Sequence, residues 1–173
     1  YAQLREKVNE VASFLMVEGV KPEDKVALLS SNMPNWGIAY FAILRLGAVA
    51  VPVLPDFHSN EIRIILEHAE AKWLFVSENL YYKVEKEELP GLAGMILMDR
   101  MAHIPAGTSV SGLAALVPFA QETRVTLPEI TTREEDLATI IYTSGTTGSS
   151  KGVMLTHKNI TWNALQSYNI EPL

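Results

Sequence analysis

The chain has 173 residues, of which 48% are hydrophobic, so it is long enough to bury a substantial core without disulfides or a structural metal. It contains no cysteine, which excludes a disulfide framework and a thiolate metal site and is typical of a protein from a reducing cytoplasm. Its 14 Lys and Arg against 20 Asp and Glu give a net charge of -6, which argues against a dedicated nucleic-acid-binding face.

The first 55 residues predict alternating helices and strands. Apolar residues at positions 4, 8, 11 and 15 recur at helical spacing, and Gly19 is expected to end that helix. "KVALLS" (25–30) and "AVAVPV" (48–53) are typical of buried strands, and residues 36–46 between them predict an interior helix that is apolar nearly all round. Residues 37–55 are almost wholly apolar, with Arg45 near the centre. An Arg there would cost about 2.5 to 3.5 kcal/mol in a membrane span, so a buried helix and strand explain residues 37–55 better.

Residues 59–98 repeat the same alternation. Ser59 is expected to cap a helix through Ile62, Ile65 and Leu66, and "KWLFVS" (72–77) and "GMILM" (94–98) predict two further strands. The acidic run 85–89 is interpreted as the solvated face of a helix, and 111–117 as a short helix in an otherwise irregular region, 99–135. Because the strands show no polar alternation, the fold class predicted is α/β, with a mostly parallel sheet and helices on both faces.

Two strand-like segments flank a loop rich in Ser, Thr and Gly. "DLATIIYT" (136–143) precedes the loop and "GVMLT" (152–156) follows it, with Thr156 expected to cap the next helix. A flexible linker would have polar flanks and join independent domains, which makes it a poor fit. A plain hairpin connection usually has two to five residues, whereas this loop has about seven.

The loop has the components of a polyphosphate site. Gly145 and Gly148 allow the backbone to turn tightly, so that successive N–H groups form a concavity suited to anions. Lys151 supplies a positive charge beside them. Short hydroxyl donors come from Thr143, Ser144, Thr146, Thr147, Ser149 and Ser150.

Other nucleotide and metal motifs fit less well. No Gly directly precedes Lys151, Gly follows it and the next element is a strand, so a P-loop of the kinase or GTPase type is not predicted. The spacing of a dinucleotide-binding loop is also missing. The histidines, at positions 58, 68, 103 and 157, include no i, i+4 pair, so each is interpreted as an ordinary surface or packed residue and no metal site is predicted.

The segment "YTSGTTGSSKGVMLTHKN" (142–159) resembles the phosphate-binding signature of the AMP-forming adenylate synthetases, which include acyl-CoA synthetases, luciferases and peptide-synthetase adenylation domains. In its wider context it is most similar to the long-chain fatty-acid–CoA ligases. Residues 1–55 resemble the opening of the same enzymes, so the resemblance extends over essentially the whole chain but over only the N-terminal part of the family's length. Ser150 departs from the family, which most often has Pro there, and the loop thereby loses a fixed φ.

The resemblance implies an ATP-dependent ligase that activates a carboxylate, in particular that of a long-chain fatty acid, as acyl-AMP and transfers it to coenzyme A. It implies that the β- and γ-phosphates, with Mg²⁺ on their oxygens, are held by Thr143, Ser144, Gly145, Thr146, Thr147 and Gly148, and that Lys151 offsets charge on the departing pyrophosphate. Residues 1–173 would be the N-terminal portion of the large adenylation domain, with the C-terminal domain absent. The adenine, ribose and catalytic-lysine motifs have no counterpart here, so the chain alone is expected to lack ligase activity.

Three alternatives stay open. The acid could be short-chain, aryl or amino acid; the protein could be a non-catalytic nucleotide-binding relative; or the loop could be a structural hairpin with an accidental composition. The expected partners are small molecules, namely the acid, ATP and coenzyme A, with no nucleic acid and no transmembrane segment. A cytoplasmic location is expected, and a fatty substrate is compatible with a peripheral membrane contact.

Overall fold

A mixed sheet forms the centre of the structure, a computed structural model that describes residues 1–118, 125–143 and 151–170. Within these residues the sheet has seven strands in the order β5-β4-β3-β1-β2-β6-β7. The pairings of β1 with β2 and β3, of β2 with β6 and of β3 with β4 are parallel, and those of β4 with β5 and β6 with β7 are antiparallel. The strands are β1 (Lys25–Leu29), β2 (Val49–Val53), β3 (Ala71–Val76), β4 (Gly94–Leu97), β5 (Ala102–Ile104), β6 (Leu137–Thr143) and β7 (Lys151–Thr156).

The α-helices that the structure describes are α1 (Ala2–Val17), α2 (Pro34–Arg45), α3 (Ser59–His68) and α4 (His157–Ile170), and short 3₁₀ helices occupy Glu78–Lys83 and Val110–Ala115. The first helix ends as predicted, since Gly19 follows it with a φ of +87°, a conformation that glycine adopts without steric cost.

The central strands bury side chains on both faces. In β1, Val26 and Leu28 pack into a core that contains residues of α1 and α2, whereas Ala27 and Leu29 pack into a second core on the α3 side. We call these the α2-side core and the α3-side core. Two-sided burial explains why the strand sequences are continuously apolar, and it confirms the predicted mostly parallel sheet with helices on both faces.

Helix α2 is less buried than its sequence predicts. Ala39, Ala42 and Ile43 face the core, but the side chain of Phe41 is 51% exposed, so the expectation of an interior helix is wrong for one face. The apolar region 37–55 is divided between α2, a turn at Gly47 and β2. In the described parts of the chain, no helix combines the length and apolar character that crossing a membrane requires.

Three local details also differ from the sequence predictions. The helix predicted to be capped by Ser59 begins at that residue, with His58 in the capping position and its N–H donating to a carboxylate oxygen of Glu61 at 2.8 Å. In the acidic run 85–89, a turn at 85–86 is followed by irregular backbone rather than a helix, and Pro90 disfavours helical backbone at the residue before it. The three-residue strand β5, within the region taken as irregular, was too short to predict.

A glycine-for-alanine comparison tests the packing of the sheet. Gly94 pairs with Trp73 across β3 and β4, and a Cβ at Gly94 would lie 2.5 Å from the indole ring. We expect Gly94→Ala to lower the free energy of unfolding by about 1 to 3 kcal/mol, since the buried indole has to move. Gly37 in α2 has no atom within 4 Å of its Cβ position, so Gly37→Ala is expected to raise it by about 0.4 to 1 kcal/mol. Urea unfolding of both variants measures this; a change of the same sign in both would contradict the packing described.

Candidate functional site

The two strands around the Ser/Thr/Gly loop (residues 143–151) form an antiparallel hairpin. Thr143 at the end of β6 lies directly opposite Lys151 at the start of β7, and both residues are exposed. The predicted strands are therefore confirmed, and the two ends of the loop lie side by side. The other predicted loop residues, Ser144, Gly145, Thr146, Thr147, Gly148, Ser149 and Ser150, lie outside the described residues.

The loop between β6 and β7 lies at the carboxyl ends of the parallel strands, where ligands of α/β proteins usually bind. The chain passes from β1 to its neighbour β2 and then returns past β1 to β3, so α2 and α3 cover opposite faces. The loops after β1 and β2 consequently diverge at the carboxyl ends of these strands, where a crevice forms in such folds. Because β6 runs parallel to β2 beside it, Thr143 lies at this same edge.

Tyr142, immediately before the loop, is anchored in the α3-side core. Its side chain is 2% exposed, and its hydroxyl shares a hydrogen bond of 2.6 Å with Nδ1 of His68, the last residue of α3. The two rings meet edge to face, with centroids 5.7 Å apart. Burial raises the pKa of the Tyr142 phenol above its usual range. Sequence reasoning missed this pair because the two residues are separated by 74 positions and neither carries a recognisable motif for the contact.

Gly152 makes room for the Tyr142 ring. The two residues are cross-strand partners, and a Cβ at Gly152 would lie 3.3 Å from Cζ of Tyr142 and 2.9 Å from Cγ2 of Ile140. Any larger residue would thus push the ring or the neighbouring isoleucine away. The glycine that follows Lys151, which distinguishes this loop from a P-loop, therefore has a packing role.

Strand β6 is also held from the α2 side. The hydroxyls of Thr139 and Tyr40 share a hydrogen bond of 2.8 Å, and Thr139 is 2% exposed. Side chains alternate along a strand, so Thr143 lies on the same face as Thr139, and its cross-strand partner Lys151 shares that face. The exposed hydroxyl and ammonium groups at the mouth of the hairpin therefore lie on one side of the sheet.

The far end of the hairpin is anchored at the start of α4. Thr156 caps this helix as predicted: its Oγ1 accepts from the Asn159 N–H at 3.3 Å, while Oδ1 of Asn159 accepts from the Thr156 N–H at 2.9 Å. The N–H of His157 donates to the backbone carbonyl of Asp136 at 3.0 Å, which connects α4 to the residue before β6. Hydrogen bonds from the backbone N–H and guanidinium of Arg133 hold the pKa of Asp136 below its usual range.

Charge at the hairpin mouth suits an anion better than a metal ion. Lys151 is a cation, and Thr143 and the backbone offer donors. Among the residues that the structure describes, no group of three or more His, Asp or Glu side chains could hold a metal ion.

Comparison with known proteins identifies related sequences. The family model described as AMP-binding enzyme matches residues 1–172. The medium-chain fatty-acid–CoA ligase of Escherichia coli K12 is 33% identical over 171 residues, with 92% of this chain covered. The crotonobetaine/carnitine–CoA ligase of Escherichia fergusonii is 31% identical over 163 residues, also with 92% of this chain covered.

A solved structure is also similar to nearly the whole of this chain. The crystal structure of a long-chain-fatty-acid–CoA ligase from Archaeoglobus fulgidus is similar with a TM-score of 0.73 and 28% identity, and the match covers 96% of this chain and 32% of that one. The chain spans 28% and 31% of the lengths of the two ligases from Escherichia. The similarity thus extends over nearly all of this chain and about a third of each related protein.

The buried phenol of Tyr142 predicts a loss of stability at alkaline pH. Its raised pKa means that the unfolded chain ionises first, so the free energy of unfolding falls as pH rises above about 10, the ordinary pKa of tyrosine. We expect the free energy of unfolding to fall less over this pH range in Tyr142→Phe than in Tyr82→Phe, since Tyr82 is 62% exposed. Urea unfolding between about pH 8 and pH 11 measures it; equal falls in the two variants would show that the Tyr142 phenol is not desolvated.

Proposed function

The chain belongs to the AMP-binding enzyme family, and on that premise we propose that it is part of an AMP-forming acyl-CoA synthetase. The observation that carries the proposal is the placement of Lys151 opposite Thr143, at the carboxyl edge of the sheet, within a sequence that resembles an adenylate-forming signature. The names of the similar proteins from Escherichia and Archaeoglobus support coenzyme A as the acyl acceptor, since all three are CoA ligases.

The substrate that we propose is a fatty acid, with a long acyl chain favoured by the resemblance of residues 136–159. The names of the similar ligases specify different substrates: a medium-chain fatty acid, crotonobetaine or carnitine, and a long-chain fatty acid. Another carboxylic acid is therefore the main alternative. Adenylation of a short-chain, aryl or amino acid would use the same phosphate loop and differ in the acyl pocket.

The proposed reaction has two steps. A carboxylate oxygen of the acid attacks the α-phosphorus of ATP, the bond to the bridging oxygen breaks and pyrophosphate leaves with that oxygen. The sulfur of coenzyme A then attacks the acyl carbonyl, its proton is lost and AMP departs, leaving a thioester. Such steps require positioning and charge stabilisation, with Mg²⁺ supplying charge neutralisation on the phosphate oxygens when bound.

The loop residues have proposed roles in the first step. The backbone N–H groups and hydroxyls of Thr143, Ser144, Gly145, Thr146, Thr147 and Gly148 bind the β- and γ-phosphates. Lys151 stabilises negative charge on the departing pyrophosphate, and the hairpin holds it beside the start of the loop. Each role is a hypothesis carried by residue type and by the described positions of Thr143 and Lys151.

We place residues 1–173 in the N-terminal portion of the large adenylation domain. The 28% and 31% coverage of the related ligases supports this assignment. The groups that bind adenine and ribose and complete catalysis would then come from other sequence, so the chain alone is not expected to turn over ATP. A non-catalytic nucleotide-binding relative would bind ATP through the same loop without releasing pyrophosphate.

Removing the Lys151 charge tests the assignment. In the full-length protein we expect Lys151→Ala to lower carboxylate-dependent pyrophosphate release by about 100-fold or more, the usual effect of losing a group that stabilises transition-state charge. Gly148→Val is expected to have a comparable effect by blocking the approach of the backbone to phosphate. Lys158→Ala is the matched control, because Lys158 is an exposed lysine at the opposite end of β7 from Lys151, where its Nζ pairs with Glu134 at 3.2 Å.

The control separates loss of a specific cation from loss of surface charge. Lys158→Ala should retain most of the activity, since an exposed ion pair contributes little to stability. Unchanged pyrophosphate release in both Lys151→Ala and Gly148→Val would show that the loop has no part in binding phosphate and would favour a structural hairpin.

A further inference from the structure

We propose that His68 and Tyr142 are positioning residues that set the affinity for ATP by fixing Thr143 and Lys151 at the mouth of the hairpin. The proposal rests on the proposed function and assigns it two residues outside the phosphate loop. It follows from the contacts on the α3 side of β6, where a helix, an aromatic ring and a glycine meet. We call His68, Tyr142 and Gly152 the hairpin clamp.

The clamp contacts both ends of the loop through the backbone. Tyr142 directly precedes Thr143, and its cross-strand partner Gly152 directly follows Lys151. A Cβ at Gly152 would lie 3.3 Å from Cζ of Tyr142, so the ring lies close over the backbone of β7 at this point. Rotation or displacement of the ring would therefore move Thr143 and Lys151 relative to each other.

His68, whose own side chain is exposed, links the clamp to helix α3. It is the last residue of α3, which is held in the α3-side core by the buried side chains of Ile62, Ile65 and Leu66. The 2.6 Å hydrogen bond between the Tyr142 hydroxyl and Nδ1 of His68 thus joins the mouth of the hairpin to a helix that the core holds in place. Hydrophobic packing alone allows a buried ring to slide, whereas a hydrogen bond at its tip defines its direction.

The contact has a counterpart on the other face that serves as an internal reference. The Tyr40 hydroxyl of α2 shares a hydrogen bond with the Thr139 hydroxyl of β6. This contact therefore also joins a helix to β6 through a tyrosine hydroxyl. Thr139 lies four residues before Thr143, so this contact stabilises the strand without touching either end of the loop. The two tyrosines have similar chemistry and differ in their distance from the loop.

These positions predict an effect on ATP rather than on the acid or coenzyme A. A displaced Lys151 and Thr143 would hold phosphates less well, and a lost hydrogen bond corresponds to a change in binding of about threefold to tenfold. The acid attacks the α-phosphorus from the side opposite the departing pyrophosphate, and coenzyme A reacts at the acyl carbonyl after pyrophosphate has left, so their KM values should change little.

Steady-state kinetics of the full-length protein test the clamp, with pyrophosphate release as the readout. We expect Tyr142→Phe and His68→Ala each to raise the KM for ATP by about threefold to tenfold. The double variant should have no larger effect than the stronger single variant, because both changes remove one interaction. His68→Gln, which keeps a polar group at the site, should recover part of the affinity.

Tyr40→Phe is the matched control. It removes a tyrosine hydroxyl of α2 that bonds the same strand, and it should lower the melting temperature about as much as Tyr142→Phe does while leaving the KM for ATP within about twofold of the wild type. Because KM does not depend on the concentration of active enzyme, partial unfolding of a variant does not obscure the comparison.

Three results overturn the proposal. An unchanged KM for ATP in Tyr142→Phe, or the same increase in Tyr40→Phe, would show that the clamp contributes only to stability. Additive effects of Tyr142→Phe and His68→Ala would show that the residues act separately. These outcomes differ from failure of the proposed function, in which the wild-type protein itself releases no pyrophosphate with any carboxylate or Lys151→Ala leaves the release unchanged.

Discussion

Burial of the central strands on both faces is the constraint on which the rest of the structure depends. Side chains of β1 point alternately into the α2-side and α3-side cores, so neither face can meet water and helices must cover both. Parallel pairing then places the carboxyl ends of β1, β2, β3 and β6 along one edge of the sheet. The Ser/Thr/Gly loop begins at that edge because β6 pairs with β2 in the same direction.

The hairpin at this edge is held in three places. The Tyr40 and Thr139 hydroxyls meet on one face of β6, Tyr142 meets α3 on the other, and Thr156 begins α4 at the far end of β7. Of these contacts, that of Tyr142 adjoins an end of the loop, and a loop that binds polyphosphate benefits from fixed ends because less entropy is lost when the ligand binds. The arrangement differs from a P-loop, in which the phosphate-binding residues open a helix.

Much of the fold could be predicted from sequence because the apolar runs are unusually clear. The strands from "KVALLS" and "KWLFVS" follow directly from continuous hydrophobicity, which two-sided burial produces. The exposed side of α2 and the non-helical backbone at 85–89 could not be predicted from composition. The packing of α2 decides the first, and Pro90 favours the second. The contact between His68 and Tyr142 was equally hidden, since it joins residues 74 positions apart. The family signature predicted the position of Thr143 and Lys151 at the two ends of one loop, whereas the residues that hold these ends emerge only from packing.

We propose that the intact protein activates a carboxylate with ATP and passes it to coenzyme A. This activity is tested by measuring pyrophosphate and AMP release by the full-length protein across a panel of short-chain, medium-chain, long-chain, aryl and amino acids, with and without coenzyme A. We expect release to depend on the acid, to be greatest with a long-chain fatty acid and to yield the acyl thioester when coenzyme A is present. Release of ADP and phosphate, or no response to any acid in the panel, would contradict the account.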